Sequence, residues 1–121
     1  MKLLLVEDDT FFRDFYASKF KEHAFDIQVA VDGEEGLKLI QAFQPDLVLL
    51  DLIMPKKDGF GVLEELTKKK LIDQFPVVVF STLGQDKDIK RAMSLGARGY
   101  VNKSFFDFDK LLATVLQFIK K

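Results

Sequence analysis

The 121 residues leave room for one domain and exclude a second folded module; 48% of them are hydrophobic and 31% charged, and 13 Phe with no Trp supply bulky core material without buried indole N–H groups, which argues against disorder. A formal net charge of -1, with the Lys and Arg scattered, gives no sequence-independent attraction to nucleic acid. The absence of cysteine excludes a disulfide framework, a zinc–thiolate site and thiol catalysis.

An apolar run at 2–6 (KLLLV) reads as a first strand and ends at once in Glu7, Asp8 and Asp9. Acids by residue 7 come too early for a signal-peptide core or a membrane span, so a cytoplasmic protein without membrane contact is expected. Thr10 is the expected cap of the first helix, in which Phe12, Phe15, Tyr16 and Phe20 recur at helical spacing as far as His23 and read as a core stripe. A second strand is expected at 26–30. Asp32 then caps a helix over 33–43, with Glu34 and Glu35 in its first turn where the helix dipole favours negative charge and Pro45 ending it.

The run at 47–50 (LVLL) reads as a third strand and ends in Asp51. Asp58-Gly59 marks a turn, and a third helix follows from 60 to about 70, closed by the solvated Lys68, Lys69 and Lys70. The fourth strand, 77–81 (VVVFS), is nearly continuous in apolar residues like the third, which suits parallel strands covered on both faces. Asp86 opens a fourth helix that Gly96 closes. The fifth strand, 99–101, leads into Asn102-Lys103, and the last helix runs over 107–119 with Phe108, Leu112, Val115 and Ile119 on one face.

Strands alternating with helices predict an α/β domain over 1–121, a five-stranded parallel sheet with helices on both faces. In such a sheet ligands collect outside the carboxyl ends of the strands. Glu7, Asp8, Asp51, Ser81 and Lys103 all fall at those ends, and carboxylates beside a lysine suggest metal-assisted phosphoryl chemistry.

Four segments, LLLVEDD at 3–9, LVLLDLIMPKKDG at 47–59, VVVFST at 77–82 and ARGYVNKSF at 97–105, in this order and spacing, resemble the receiver domain of two-component response regulators, here a single-domain, chemotaxis-regulator-like form. The resemblance covers the whole chain and implies flavodoxin-like strand order 2-1-3-4-5. It implies that Asp51 accepts a phosphoryl group from the phosphohistidine of a sensor histidine kinase or phosphotransfer protein. It further implies Mg²⁺ held by Asp8 directly, Glu7 as the outer acid, Asp51 and the backbone carbonyl of Ile53. Lys103 and the Ser81 hydroxyl then meet the phosphoryl oxygens, and Ser81 with the aromatic Tyr100 forms the switch. The output is a changed surface on helix 4, strand 5 and helix 5 for a downstream protein target, in a monomer or a phosphorylation-dependent homodimer. The domain assists its own phosphorylation and dephosphorylation, and it is not expected to be an enzyme acting on an external substrate.

Two positions depart from the family pattern, and two of the family's variable positions carry bulky residues. Ser104 stands where proline usually follows the lysine, and the Lys103 loop is expected to be more mobile for it. Thr82 places a second hydroxyl beside Ser81, although alignment favours Ser81 as the phosphoryl partner. Ile53 and Leu83, both bulky and apolar, stand at the two variable positions that, by the resemblance, flank the path of the hydrolytic water, and slow self-dephosphorylation is expected.

His23 sits where a helix end favours it, so the donor histidine must belong to another protein. Phe105, Phe106 and Phe108 cannot all be buried on one helix face, and Phe106 is the candidate for an exposed partner contact. Two rivals remain. A phosphorylation-independent receiver-like interaction module would keep the fold without the switch. An FMN-binding flavodoxin-like protein would want backbone donors rather than acids after the first strand.

Overall fold

A computed structural model describes residues 1–82, 84–104 and 107–120. The elements in chain order are β1 (Lys2–Val6), α1 (Thr10–Glu22), β2 (Asp26–Ala30), α2 (Gly33–Phe43), β3 (Leu47–Leu50), α3 (Gly59–Lys68), β4 (Val77–Ser81), α4 (Asp86–Ser94), β5 (Gly99–Asn102) and α5 (Phe108–Phe118). All strand pairs are parallel, and the sheet order is β2-β1-β3-β4-β5. The expected α/β architecture and strand order are both present.

Because successive side chains of a strand point to opposite faces, each central strand feeds two cores. Leu4, Val6, Val48, Leu50, Val77 and Val79 pack with residues of α2, α3 and α4. Their neighbours Leu3, Leu5, Leu47, Leu49, Val78 and Phe80 pack with Tyr16 and Phe20 of α1 and Leu111 and Val115 of α5. This two-sided burial is why the strands read as unbroken apolar runs. Among the described residues no helix is long and apolar enough to cross a membrane.

Two local expectations need correction. Asp9, not Thr10, is the N-cap of α1: its side chain accepts the Phe12 N–H at 3.1 Å, and Thr10 is the first helical residue. Aspartate competes well for this position because its short carboxylate reaches the orphan N–H groups of the first turn and its charge suits the dipole. The α1 stripe is also narrower than its spacing suggests. Tyr16 and Phe20 are buried and Phe12 half-buried, whereas Phe15 is 37% exposed and stacks on the outward-facing Phe11.

Candidate functional site

Strands β1, β3 and β5 each run one hydrogen bond past their last regular residue, and that bond fixes a functional side chain. The Glu7 N–H donates to the Ala30 carbonyl at 2.9 Å, the Asp51 N–H to the Val6 carbonyl at 3.1 Å, and the Lys103 N–H to the Ser81 carbonyl at 3.0 Å. By the period-2 rule, Glu7 follows Leu3 and Leu5, Asp51 follows Leu47 and Leu49, and Lys103 follows Val101, so all three project toward the α1/α5 side. The ladder register therefore sets their meeting place. Gly59 secures the neighbouring turn: a Cβ there would lie 2.3 Å from the Asp51 carbonyl oxygen, so α3 can start this close to Asp51 only with glycine.

Lys103 Nζ donates to Glu7 Oε1 and, at 2.9 Å, to Asp51 Oδ2. These side chains are almost fully enclosed, with residue exposures of 1% for Glu7, 4% for Asp51 and 4% for Lys103. The other Asp51 oxygen accepts the Ile53 N–H at 3.3 Å, and Glu7 Oε2 accepts the Asp9 N–H at 3.1 Å. Asp8 is exposed beside them. Arg13 of α1 ties the loop down by donating to the Glu7 and Asp8 carbonyls, each at 3.3 Å.

Burial disfavours the Glu7 anion and pushes its carboxyl up to about 7; the Lys103 hydrogen bond opposes this and the nearby Asp51 charge adds to it. For Lys103, burial alone would lower the pKa, but its hydrogen bonds and charge pairing with Glu7 and Asp51 carry it above the ordinary value. One ammonium is serving two buried carboxylates. Glu7, Asp8 and Asp51 each offer a ligand oxygen, all within 4.8 Å of one another. Three carboxylates against one ammonium leave about two negative charges when all are ionised, and hard oxygen donors in that number fit a divalent cation such as Mg²⁺ better than a soft metal.

The site opens as a shallow cavity of about 250 Å³ whose wall includes Asp8, Phe12, Asp51, Ile53, Thr82 and Lys103. Ser81 is fully buried at the end of β4 and has the parity of Val77 and Val79, toward the α4 side; the exposed Thr82 is the hydroxyl on the cavity wall. Tyr100 is half-buried on that same α4 side and lines a separate cavity of about 280 Å³ with Gly84, Ile89 and Asn102. The structure thus brings Glu7, Asp8, Asp51 and Lys103 together, with Ile53 at their edge; Ser81 lies enclosed at the end of β4, and Tyr100 lines the separate cavity. Leu83, Phe105 and Phe106 lie outside the described residues. His23 is remote from the site, its ring nitrogen 2.9 Å from the Lys19 carbonyl at the end of α1.

Sequence reasoning missed two members of this neighbourhood, Phe12 and Arg13. Their only sequence signal is position, one helical turn beyond the acids.

Residues 3–116 match the family model for the response regulator receiver domain. The chain belongs to that family. Among curated relatives, it is 34% identical over 120 residues to the DNA-binding dual master transcriptional regulator RpaA of Synechocystis, covering 99% of this chain and 49% of that one. It spans about half the length of the first curated relatives it matches. Among solved structures, the BeF3-activated N-terminal receiver domain of Klebsiella pneumoniae RstA superposes over 100% of both chains at TM-score 0.91 and 29% identity. A chain of the CheX-CheY-BeF3-Mg+2 complex from Borrelia burgdorferi superposes at TM-score 0.88 and 28% identity, over 97% of this chain and 87% of that one. Receiver domains of two-component response regulators serve phosphoacceptor signalling, and the four sequence segments quoted above carry that membership.

Proposed function

We propose that this receiver domain takes a phosphoryl group from a phosphohistidine of a sensor histidine kinase or phosphotransfer protein onto Asp51, in a Mg²⁺-dependent reaction, and thereby changes the surface it offers to a downstream protein. The observation that carries the reading is the enclosed Asp51 carboxylate, held between Lys103 and the Ile53 N–H with Glu7 and Asp8 within ligand distance. The similar RstA and CheY structures, named with BeF3 and in one case Mg+2, support the same chemistry.

An Asp51 oxygen forms the new O–P bond while the N–P bond of the donor breaks, and the departing imidazole nitrogen takes back the electron pair. Both reactants are negative, so the approach needs charge compensation. Asp8, Asp51 and the Ile53 carbonyl, with Glu7 as the outer acid, would hold Mg²⁺, which when bound would supply that compensation and align the reacting oxygens. Lys103 contributes a fixed positive charge beside the nucleophile, and the hydrogen bonds to Asp51 hold the carboxylate facing the cavity.

The switch reading assigns Ser81 and Tyr100 to the second step. Ser81 turns toward the new phosphoryl oxygens, Tyr100 moves into the space it leaves, and the face of α4, β5 and α5 is remodelled for a protein partner, with dimerisation through that face as one form of output. The domain acts once per signalling cycle and assists its own phosphorylation and dephosphorylation, so it is not an enzyme in the turnover sense.

Intact mass after incubation with acetyl phosphate and Mg²⁺ tests the reading. One phosphoryl adduct is expected on the unaltered chain and none on Asp51→Asn or after metal removal. An adduct that persists in Asp51→Asn would move the phosphoacceptor to another residue, and no adduct under conditions that label another receiver would overturn the reading in favour of a phosphorylation-independent module.

A further inference from the structure

Lys103 is held by more than its two carboxylates. Phe12, the third residue of α1, presents its ring to the ammonium, with Nζ 4.8 Å from the ring centroid, within the range of a cation–π contact. The ring is itself fixed from behind. Its backbone N–H is bound by Asp9, its face stacks on Tyr16 at 6.2 Å and 7°, and Tyr16 meets Phe80 edge-on at 4.9 Å. Tyr16 and Phe80 are buried core residues, so the ladder gives the outermost ring a set orientation.

Phe12 is only half-buried and forms part of the cavity wall with Asp51 and Lys103, which is an odd place for a residue whose sole role is filling the core. The carboxylates around Lys103 have other roles in the reaction proposed above: Asp51 is the nucleophile, and Glu7 belongs to the cation site. Each changes its charge balance during the cycle. The aromatic face does not, and its negative quadrupole stays directed at the ammonium throughout.

We infer that Phe12 is a positioning residue for phosphoryl transfer, its aromatic face keeping the Lys103 ammonium beside Asp51 while the carboxylate contacts are redistributed. The inference rests on the reading of Asp51 and Lys103 given above. It separates Phe12 from a leucine of similar bulk, which would fill the space and offer no quadrupole.

The decisive series replaces Phe12 with mono-, di- and trifluorophenylalanine, which keep nearly the same shape while draining charge from the ring face. The second-order rate of phosphorylation by acetyl phosphate at saturating Mg²⁺ is expected to fall stepwise, by about five- to tenfold across the series. A flat series in a protein that still takes up phosphoryl overturns the role of Phe12 alone. A protein that takes up none overturns the reading of Asp51 and this inference with it. A second measurement reads the contact directly. The Lys103 Cε protons are expected upfield through the ring current in the unaltered chain and in Phe12→Tyr, and at ordinary positions in Phe12→Leu; ordinary positions in the unaltered chain overturn the inference whatever the kinetics.

Discussion

Helices α3 and α4 lie on the same face of the sheet, yet they are held to it very differently. α3 buries Gly59, Phe60, Val62, Leu63 and Leu66 and is capped by Asp58, whose carboxylate accepts the Gly61 N–H at 2.7 Å. α4 buries only Ala92, and its N-cap Gln85 makes no side-chain bond to the helix. Its ties to α3 are peripheral: Arg91 lies over the Phe60 ring at 4.1 Å and reaches Glu64 at 3.3 Å on the exposed side. The contrast places a rigid wall beside Asp51 and an easily displaced element beside Ser81 and Tyr100. Low local stability is what a moving element needs, because little buried contact has to be broken before it shifts.

The sharpest way to break this comparison is to remove equal apolar bulk from the two helices. Leu63→Ala, at a fully buried site, is expected to cost about 2–5 kcal/mol in urea-induced unfolding. Ile89→Ala, at a half-buried site on α4, should cost about 1 kcal/mol or less because much of its surface already meets water. Equal losses would show that α4 is packed as firmly as α3.

The caps give a smaller test of the same contrast. Aspartate side chains cap α1, α2, α3 and α5 through Asp9, Asp32, Asp58 and Asp107, and α4 is the exception. Asp58→Ala is expected to lower stability by about 0.5–2 kcal/mol, whereas Gln85→Ser should raise it by up to about 1 kcal/mol by supplying the missing acceptor. If the weak start of α4 serves switching, Gln85→Ser should also slow amide exchange in α4 and leave α3 unchanged. Exchange that slows equally in both helices would detach the cap from the switch.

Much of this arrangement is legible in the chain because the sheet converts sequence position into spatial position. A parallel strand ends at the same edge as its neighbours, so Glu7, Asp51 and Lys103, each one residue past the end of its strand, had to converge. What sequence hides is anything decided by competition between adjacent candidates. Asp9 and Thr10 are both good caps, and only the path of the chain out of β1 chooses Asp9. Phe12 and Phe15 share the helical spacing of Tyr16 and Phe20, but the face that α1 turns to the sheet leaves Phe15 outside and brings Phe12 to the lysine. Ser81 and Thr82 are likewise adjacent hydroxyls, and the end of β4 falls between them: Ser81 is enclosed in the strand and the exposed Thr82 lines the cavity.

The smallest expected effect probes the docking of α4 from the side of Tyr100. Burial, then the charges of Asp88 on α4 and of Asp51, push the Tyr100 phenol up to about 12, above an ordinary value of about 10. A folded-state pKa raised in this way contributes stability that is fully present below about pH 10 and is lost as pH rises toward about 12, because the folded protein binds the phenolic proton more tightly than the unfolded chain does. Tyrosinate absorbance followed against pH, with Tyr100→Phe to separate the contribution of the likewise raised Tyr16, is expected to show this late ionisation. Asp88→Asn should bring the midpoint down by more than Asp51→Asn, since Asp88 is the larger of the two charge contributions. That difference exists only while α4 keeps Asp88 near the ring. A midpoint close to the ordinary value, insensitive to Asp88→Asn, would mean that α4 already spends much of its time away from β5, a looser element than its packing describes.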